Sequence, residues 1–119
     1  MKALDIRKRV LGEEHPNTAN SYNNLAGYYY DLGDNEKALE YLLKALNIFE
    51  KVNGIEHVVT AVNYNNIGSV YRKLSKFGLS LKFYQKALDI YVKKMGHDYI
   101  ETKKIKEKIE IVKKEMNSK

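Results

Sequence analysis

The tripeptide Lys-Ala-Leu, followed by any residue and then Ile, recurs at a fixed interval of 42 residues, at Lys2–Ile6, Lys44–Ile48 and Lys86–Ile90. Gly12, Gly54 and Gly96 keep the same interval, as do Glu14, Glu56 and Asp98, and Thr18, Thr60 and Thr102. Setting 12–53 against 54–95 gives 16 identities in 42 positions. A period between 20 and 50 residues marks a chain built of stacked units, each unable to bury its apolar face alone. That period constrains the fold more than any other feature, and it narrows function to what such arrays do, which is to hold other molecules.

Two helical patterns lie within each period. Tyr22, Leu25, Ala26, Tyr29 and Leu32 fall on one face of a 3.6-residue helix, and Tyr64, Ile67, Gly68, Tyr71 and Leu74 repeat it. Ala38, Leu39, Leu42, Ala45, Leu46 and Phe49 form a second stripe, matched by Ser80, Leu81, Tyr84, Ala87, Leu88 and Tyr91. Gly33-Asp34-Asn35 separates the first two stripes, with Asp34 a good N-cap and Ser75 the expected capping oxygen of the next pair. Gly54 and Gly96 stand where a left-handed residue closes a helix. The expected helices run over about 18–32, 35–52, 60–74, 76–94 and 99–116, preceded by a short one over 2–11. Ala26, Gly68, Ala38 and Ser80 are small where paired helices must cross about 8–10 Å apart. The expected fold is an all-α, right-handed α-solenoid of antiparallel helix pairs in a single domain over 1–119. It divides into a partial second helix (2–11), one repeat (12–53), another (54–95) and a C-terminal capping helix within 96–119.

These residues resemble the tetratricopeptide repeat, in the 42-residue form of kinesin light chain. The small residue of the first helix, the Tyr three residues on, and the two small residues of the second helix match Ala26, Tyr29, Ala38 and Ala45, then Gly68, Tyr71, Ser80 and Ala87. Gly-x-Glu-His precedes the first helix, and Tyr-Asn-Asn lies within it. Tyr22 and Tyr64 stand where the family has its signature Trp. The resemblance implies a protein-interaction scaffold whose first helices line a concave face that takes an extended peptide. It also implies peptide contact at Asn23 and Asn65. The last helix departs from the pattern, with Lys106, Glu110 and Lys113 at the anchor, small and Tyr positions, leaving Ile105, Ile109, Val112 and Met116 as its apolar stripe.

On the side of the first helices not used by the core, the sequence places Asn20, Asn23, Gly27 and Tyr30, then Val62, Asn65, Ser69 and Arg72, then Lys104, Glu107, Ile111 and Lys114. Asn side chains both donate and accept, which suits recognition of a peptide backbone. Gly27 and Ser69 leave room, and Arg72 and Lys114 can pair with carboxylates. The expected groove is therefore Asn20, Asn23, Tyr30, Asn65, Ser69, Arg72 and Lys114. The competing expectation is a structural, self-associating fragment, joined weakly through an N-terminal end where helix 2–11 lacks a preceding partner.

Composition speaks against other classes. The formal net charge of +6 is not gathered for phosphates: 1–11 carries four basic and one acidic residue, 99–119 seven and four, and 12–53 three and seven. Its interleaving with Glu argues against nucleic acid. No apolar run is long enough to span a membrane. There is no cysteine, and cytoplasmic location is the default expectation. His15 and His57 repeat at one loop position, about 10 Å apart by helix spacing, too far to share an ion. They are expected to be helix-entry residues, as is His97 in the third loop. No cofactor and no enzymatic activity are expected.

Overall fold

The computed structural model describes residues 15–118. Five helices follow one another: α1 (Pro16–Asp31), α2 (Asn35–Val52), α3 (Val58–Lys73), α4 (Phe77–Met95) and α5 (Ile100–Asn117). The described residues contain no strand. They divide into two compact units, one ending at Ile55 and the other beginning at Glu56. Helix 2–11 of the sequence reading lies outside the described residues.

In the first unit α2 packs back along α1. Thr18, Ala19, Tyr22 and Ala26 of α1 are buried with Ala38, Tyr41, Leu42 and Ala45 of α2. The anchor aromatics form a stack, Tyr41 lying between Tyr22 (centroids 5.9 Å) and Tyr29 (5.7 Å), with the Lys44 ammonium over both Tyr22 and Tyr41. The second unit repeats this: Phe83 lies between Tyr64 and Tyr71, and Lys86 sits 5.3 Å from the Tyr64 centroid and 5.4 Å from that of Phe83. A Tyr at the Trp position is thus tolerated because its ring packs on a second-helix aromatic, Tyr41 or Phe83, and a cation closes the stack. The third helix of this unit, α5, lays Thr102, Ile105, Ile109 and Val112 in the core beside α4. Met116 and Leu32, expected on the core stripes, are exposed. Leu32 is the residue that ends α1, past the last turn that α2 covers.

Helix ends follow local chemistry. His15 and His57 are N-caps: each Nδ1 accepts a hydrogen bond of 3.0 Å from the backbone N–H two residues on. Asp34 caps α2 through its Oδ1 and the Lys37 N–H at 3.1 Å. The expectation for Ser75 is corrected here. The N-cap of α4 is Lys76, with no side-chain cap bond, and Ser75 has φ +59°. One period back, Gly33 has φ +83°. Both turns close identically, Gly33 N–H to Tyr30 carbonyl and Asp34 N–H to Tyr29 carbonyl, then Ser75 to Arg72 and Lys76 to Tyr71. This is the Schellman arrangement, whose left-handed residue is normally Gly. Ser75 occupies it at a steric cost of about 1 kcal/mol. Ser75→Gly should therefore stabilise the chain by up to roughly 1 kcal/mol, whereas Gly33→Ser should destabilise it by a similar amount. Paired urea melts followed by circular dichroism check both signs.

Candidate functional site

The side of α1 opposite its buried face carries exposed Asn17, Asn20, Asn24, Gly27, Tyr28 and Asp31. Asn23 and Tyr30 lie on its flank, half-buried. The Asn23 Oδ1 is shielded from water and has no hydrogen-bond partner among the described residues. A Cβ built on Gly27 would meet nothing within 4 Å, so the ridge passes into open space there. Asn24, one residue further round the helix and outside the expected groove, faces solvent more fully than Asn23.

In the second unit the equivalent flank is already engaged. Asn65 Oδ1 accepts a 3.1 Å hydrogen bond from Lys108 Nζ of α5. Arg72 donates through Nε (2.7 Å) and Nη2 (2.9 Å) to the two carboxylate oxygens of Glu115. Ser69 Oγ donates to the Asn65 carbonyl at 3.2 Å, leaving it as acceptor for the Tyr84 hydroxyl at 2.8 Å. Lys108 also lies 5.9 Å from the Tyr84 ring centroid, and its burial lowers its pKa. Val62 and Asn66 of α3 and Lys104, Glu107, Ile111 and Lys114 of α5 remain exposed. The structure therefore places Asn65, Ser69 and Arg72 along one flank of α3, ties Asn65 and Arg72 to α5 and Ser69 to α4, and leaves Lys114 in solvent on α5.

Lys108 and Glu115 were missed by sequence reasoning. Each pairs with a residue 43 positions earlier, one period plus one. The helices α3 and α5 thus meet with a one-residue offset, a signal that a search at that spacing would have found.

The Arg72 hydrogen bonds hold the Glu115 carboxyl below the usual carboxylate range. A depressed carboxylate contributes stability above its unfolded pKa and loses it as pH falls through the folded value. The tie from α3 to α5 is therefore complete at neutral pH and opens only in acid. Carbon-detected NMR should place the Glu115 midpoint below that of an ordinary glutamate. Arg72→Gln should move it back up.

None of these groups forms a catalytic constellation. Lys106 Nζ lies 2.9 Å from His97 Nδ1, so that His serves the loop before α5. Among the described residues no group of three His, Cys, Asp or Glu could hold a metal ion, and no helix is long and apolar enough to cross a membrane.

Comparison with known proteins decides the family. The family model for the tetratricopeptide repeat matches residues 1–51 and 22–93. The chain belongs to the tetratricopeptide repeat family. Such repeats are generally protein–protein interaction scaffolds, and proteins of this kind are typically non-enzymatic. Among solved structures, the chain is similar to a kinesin-light-chain-type protein of Podosopora anserina with nearly identical TPR-like repeats. The TM-score is 0.86 at 18% identity, over 93% of this chain and 53% of that one. It is also similar to BtubC (BKLC) from P. vanneervenii, with TM-score 0.71 and 23% identity over 98% and 55% of the two chains. The tetratricopeptide fold implied by the resemblance is thereby shown, an all-α helical repeat of the kinesin-light-chain type. Among curated proteins, the Clustered mitochondria protein of Arabidopsis thaliana is 49% identical over 39 residues, which is 33% of this chain and 3% of that protein. The chain spans about half the length of the two solved relatives.

Proposed function

We propose that the chain is an interaction scaffold that takes an extended segment of a partner protein on the exposed side of its first helices, the face that is concave in such arrays. The observation that carries this reading is the ridge of exposed amides on α1, Asn20 and Asn24, with half-buried Asn23 beside them and open space at Gly27. An extended peptide offers an N–H and a C=O at every residue, and an Asn side chain can satisfy both. A donor that reached the Asn23 Oδ1 would also relieve the cost of a shielded, unpartnered acceptor, about 1–3 kcal/mol. Tyr30 adds a flat apolar contact next to this ridge.

In the second unit, Asn65, Ser69 and Arg72 contribute differently. Asn65 Oδ1, Ser69 Oγ and the Arg72 Nε and Nη2 already bond within α3, to Tyr84 and to α5, so these residues form the floor of the site. A partner carboxylate would reach Lys114 directly, but would have to compete with Glu115 for Arg72. The direct ligand contacts of this unit are therefore Val62, Asn66 and Lys114.

The test is selection of binders from an immobilised library of extended peptides, followed by variants. Each amide should contribute about 0.5–1.5 kcal/mol through its hydrogen bonds. Asn20→Ala with Asn23→Ala, together about 1–3 kcal/mol, should weaken the selected peptides at least about fivefold, while Lys44→Ala on α2 leaves them unchanged. Full-strength capture by the double variant would remove the α1 ridge from the site. If no peptide is selected and the chain sediments as an oligomer, the self-associating reading replaces this one.

A further inference from the structure

Ser75 stands in the turn between α3 and α4, exposed, in the left-handed conformation that its repeat-mate Gly33 adopts. The segment around it is Arg72-Lys73-Leu74-Ser75-Lys76. Three cations therefore flank one exposed hydroxyl in sequence, at the third and second residues before it and the first after. The corresponding turn of the first unit is Tyr30-Asp31-Leu32-Gly33-Asp34, with no serine or threonine and two acidic residues. That first turn already has a negative group at the start of the following helix, the Asp34 carboxylate capping α2. The second has none, because Lys76 gives α4 no side-chain cap and its first turn contains no acidic residue.

We infer that Ser75 is a phosphoacceptor for a serine kinase that reads basic residues before its target, and that the phosphate supplies the negative charge missing at the start of α4. Arg at the third residue before a serine, with Lys at the second, is the charge pattern a kinase with an acidic substrate groove selects. Leu74, Ser75 and Lys76 already lie outside both helices. Arg72 and Lys73 sit in the last turn of α3, and helix ends open at the lowest cost. A kinase that reads Arg72 has to draw it from the Glu115 carboxylate, with which it is paired. In the transfer, Ser75 Oγ bonds to the γ-phosphorus of a nucleoside triphosphate and the bond from that phosphorus to the bridging oxygen breaks. The nucleoside diphosphate leaves, and the hydroxyl proton passes to the kinase's base. The product carries about −1.5 to −2 charge among Arg72, Lys73 and Lys76, next to the positive end of α4.

The purified full chain is incubated with ATP and the catalytic subunit of a serine kinase that selects Arg three residues before its target. The site is read by fragment mass spectrometry. The expected result is one phosphate per chain, on Ser75, and none in Ser75→Gly, a variant that fits the turn better and so keeps the fold. Arg72→Gln should slow incorporation at least tenfold while its circular dichroism stays helical. The phosphorylated chain should melt at a higher temperature than the unmodified one. Phosphate on a different hydroxyl, incorporation only after the chain is unfolded in urea, or a melting point that does not rise would each overturn the inference.

Discussion

Tyr64→Ala should cost about 3–5 kcal/mol, the range for deleting a buried aromatic side chain. Tyr64 is only 3% exposed, and its ring packs 6.0 Å from Phe83 with Lys86 above it. Truncation leaves Phe83 without its partner on one side and opens a cavity beneath Ala61 and Ile67, both fully buried. Domains of this size are stable by about 5–15 kcal/mol, so such a loss takes a large share. Lys86→Met separates the contributions, since it removes only the cation above the rings and should cost no more than about 1 kcal/mol. Thermal and urea unfolding by circular dichroism measure both. A Tyr64→Ala variant as stable as the parent would show that the aromatic stack is not what fills the Trp position.

Gly68→Ala should destabilise the second unit by a net of up to roughly 2 kcal/mol. A Cβ on Gly68 would stand 2.8 Å from Tyr84 Cδ1, 2.9 Å from Cε1 and 3.0 Å from Cγ. That ring is 1% exposed, and its hydroxyl is tied to Ser69. The Gly68 carbonyl also accepts a 2.8 Å bond from Ser80 Oγ, which holds α4 against this stretch of α3. Neither neighbour can yield cheaply. Overpacking of this kind costs about 1–3 kcal/mol, against which Ala regains about 1 kcal/mol of helix propensity. The first unit shows the alternative: one period back, Gly68 and Tyr84 become Ala26 and Leu42, both buried. A methyl on α1 goes with a narrower residue on α2, and a bare Cα on α3 goes with a ring on α4. Tyr84→Leu should therefore rescue Gly68→Ala in a double-mutant cycle, with a coupling energy of about 1 kcal/mol or more. Additive effects would mean the two residues do not share this space.

The fold was legible because the period and the two helical stripes are properties of single positions. Tyr22, Tyr64, Ala38, Ala45, Ser80 and Ala87 all occupy the buried places their spacing implies. Ser75 was misread for a physical reason. A hydroxyl resembles a cap, but the period aligns Ser75 with Gly33 and Lys76 with Asp34, so backbone conformation overrode side-chain chemistry. The candidate ridge was legible only in part. Helix geometry predicts which side faces away from the core, and Asn20 is on it, with Asn23 half-buried on the flank. It does not predict that α5 would take the Asn65 and Arg72 side chains, because those pairings depend on the stagger between helices a whole period apart.

Binding of an extended peptide along the first helices is tested most directly by NMR. A peptide from the library selection is titrated into the isotope-labelled chain while backbone and side-chain amide shifts are followed. The expected result is perturbation of the Asn20, Asn23, Asn24 and Tyr30 signals on α1, and of Asn66 and its neighbours on α3. Glu40, Lys44, Lys82 and Gln85, exposed on the second helices, should be unmoved. Perturbations confined to α2 and α4, with the α1 amides silent at saturation, would contradict it.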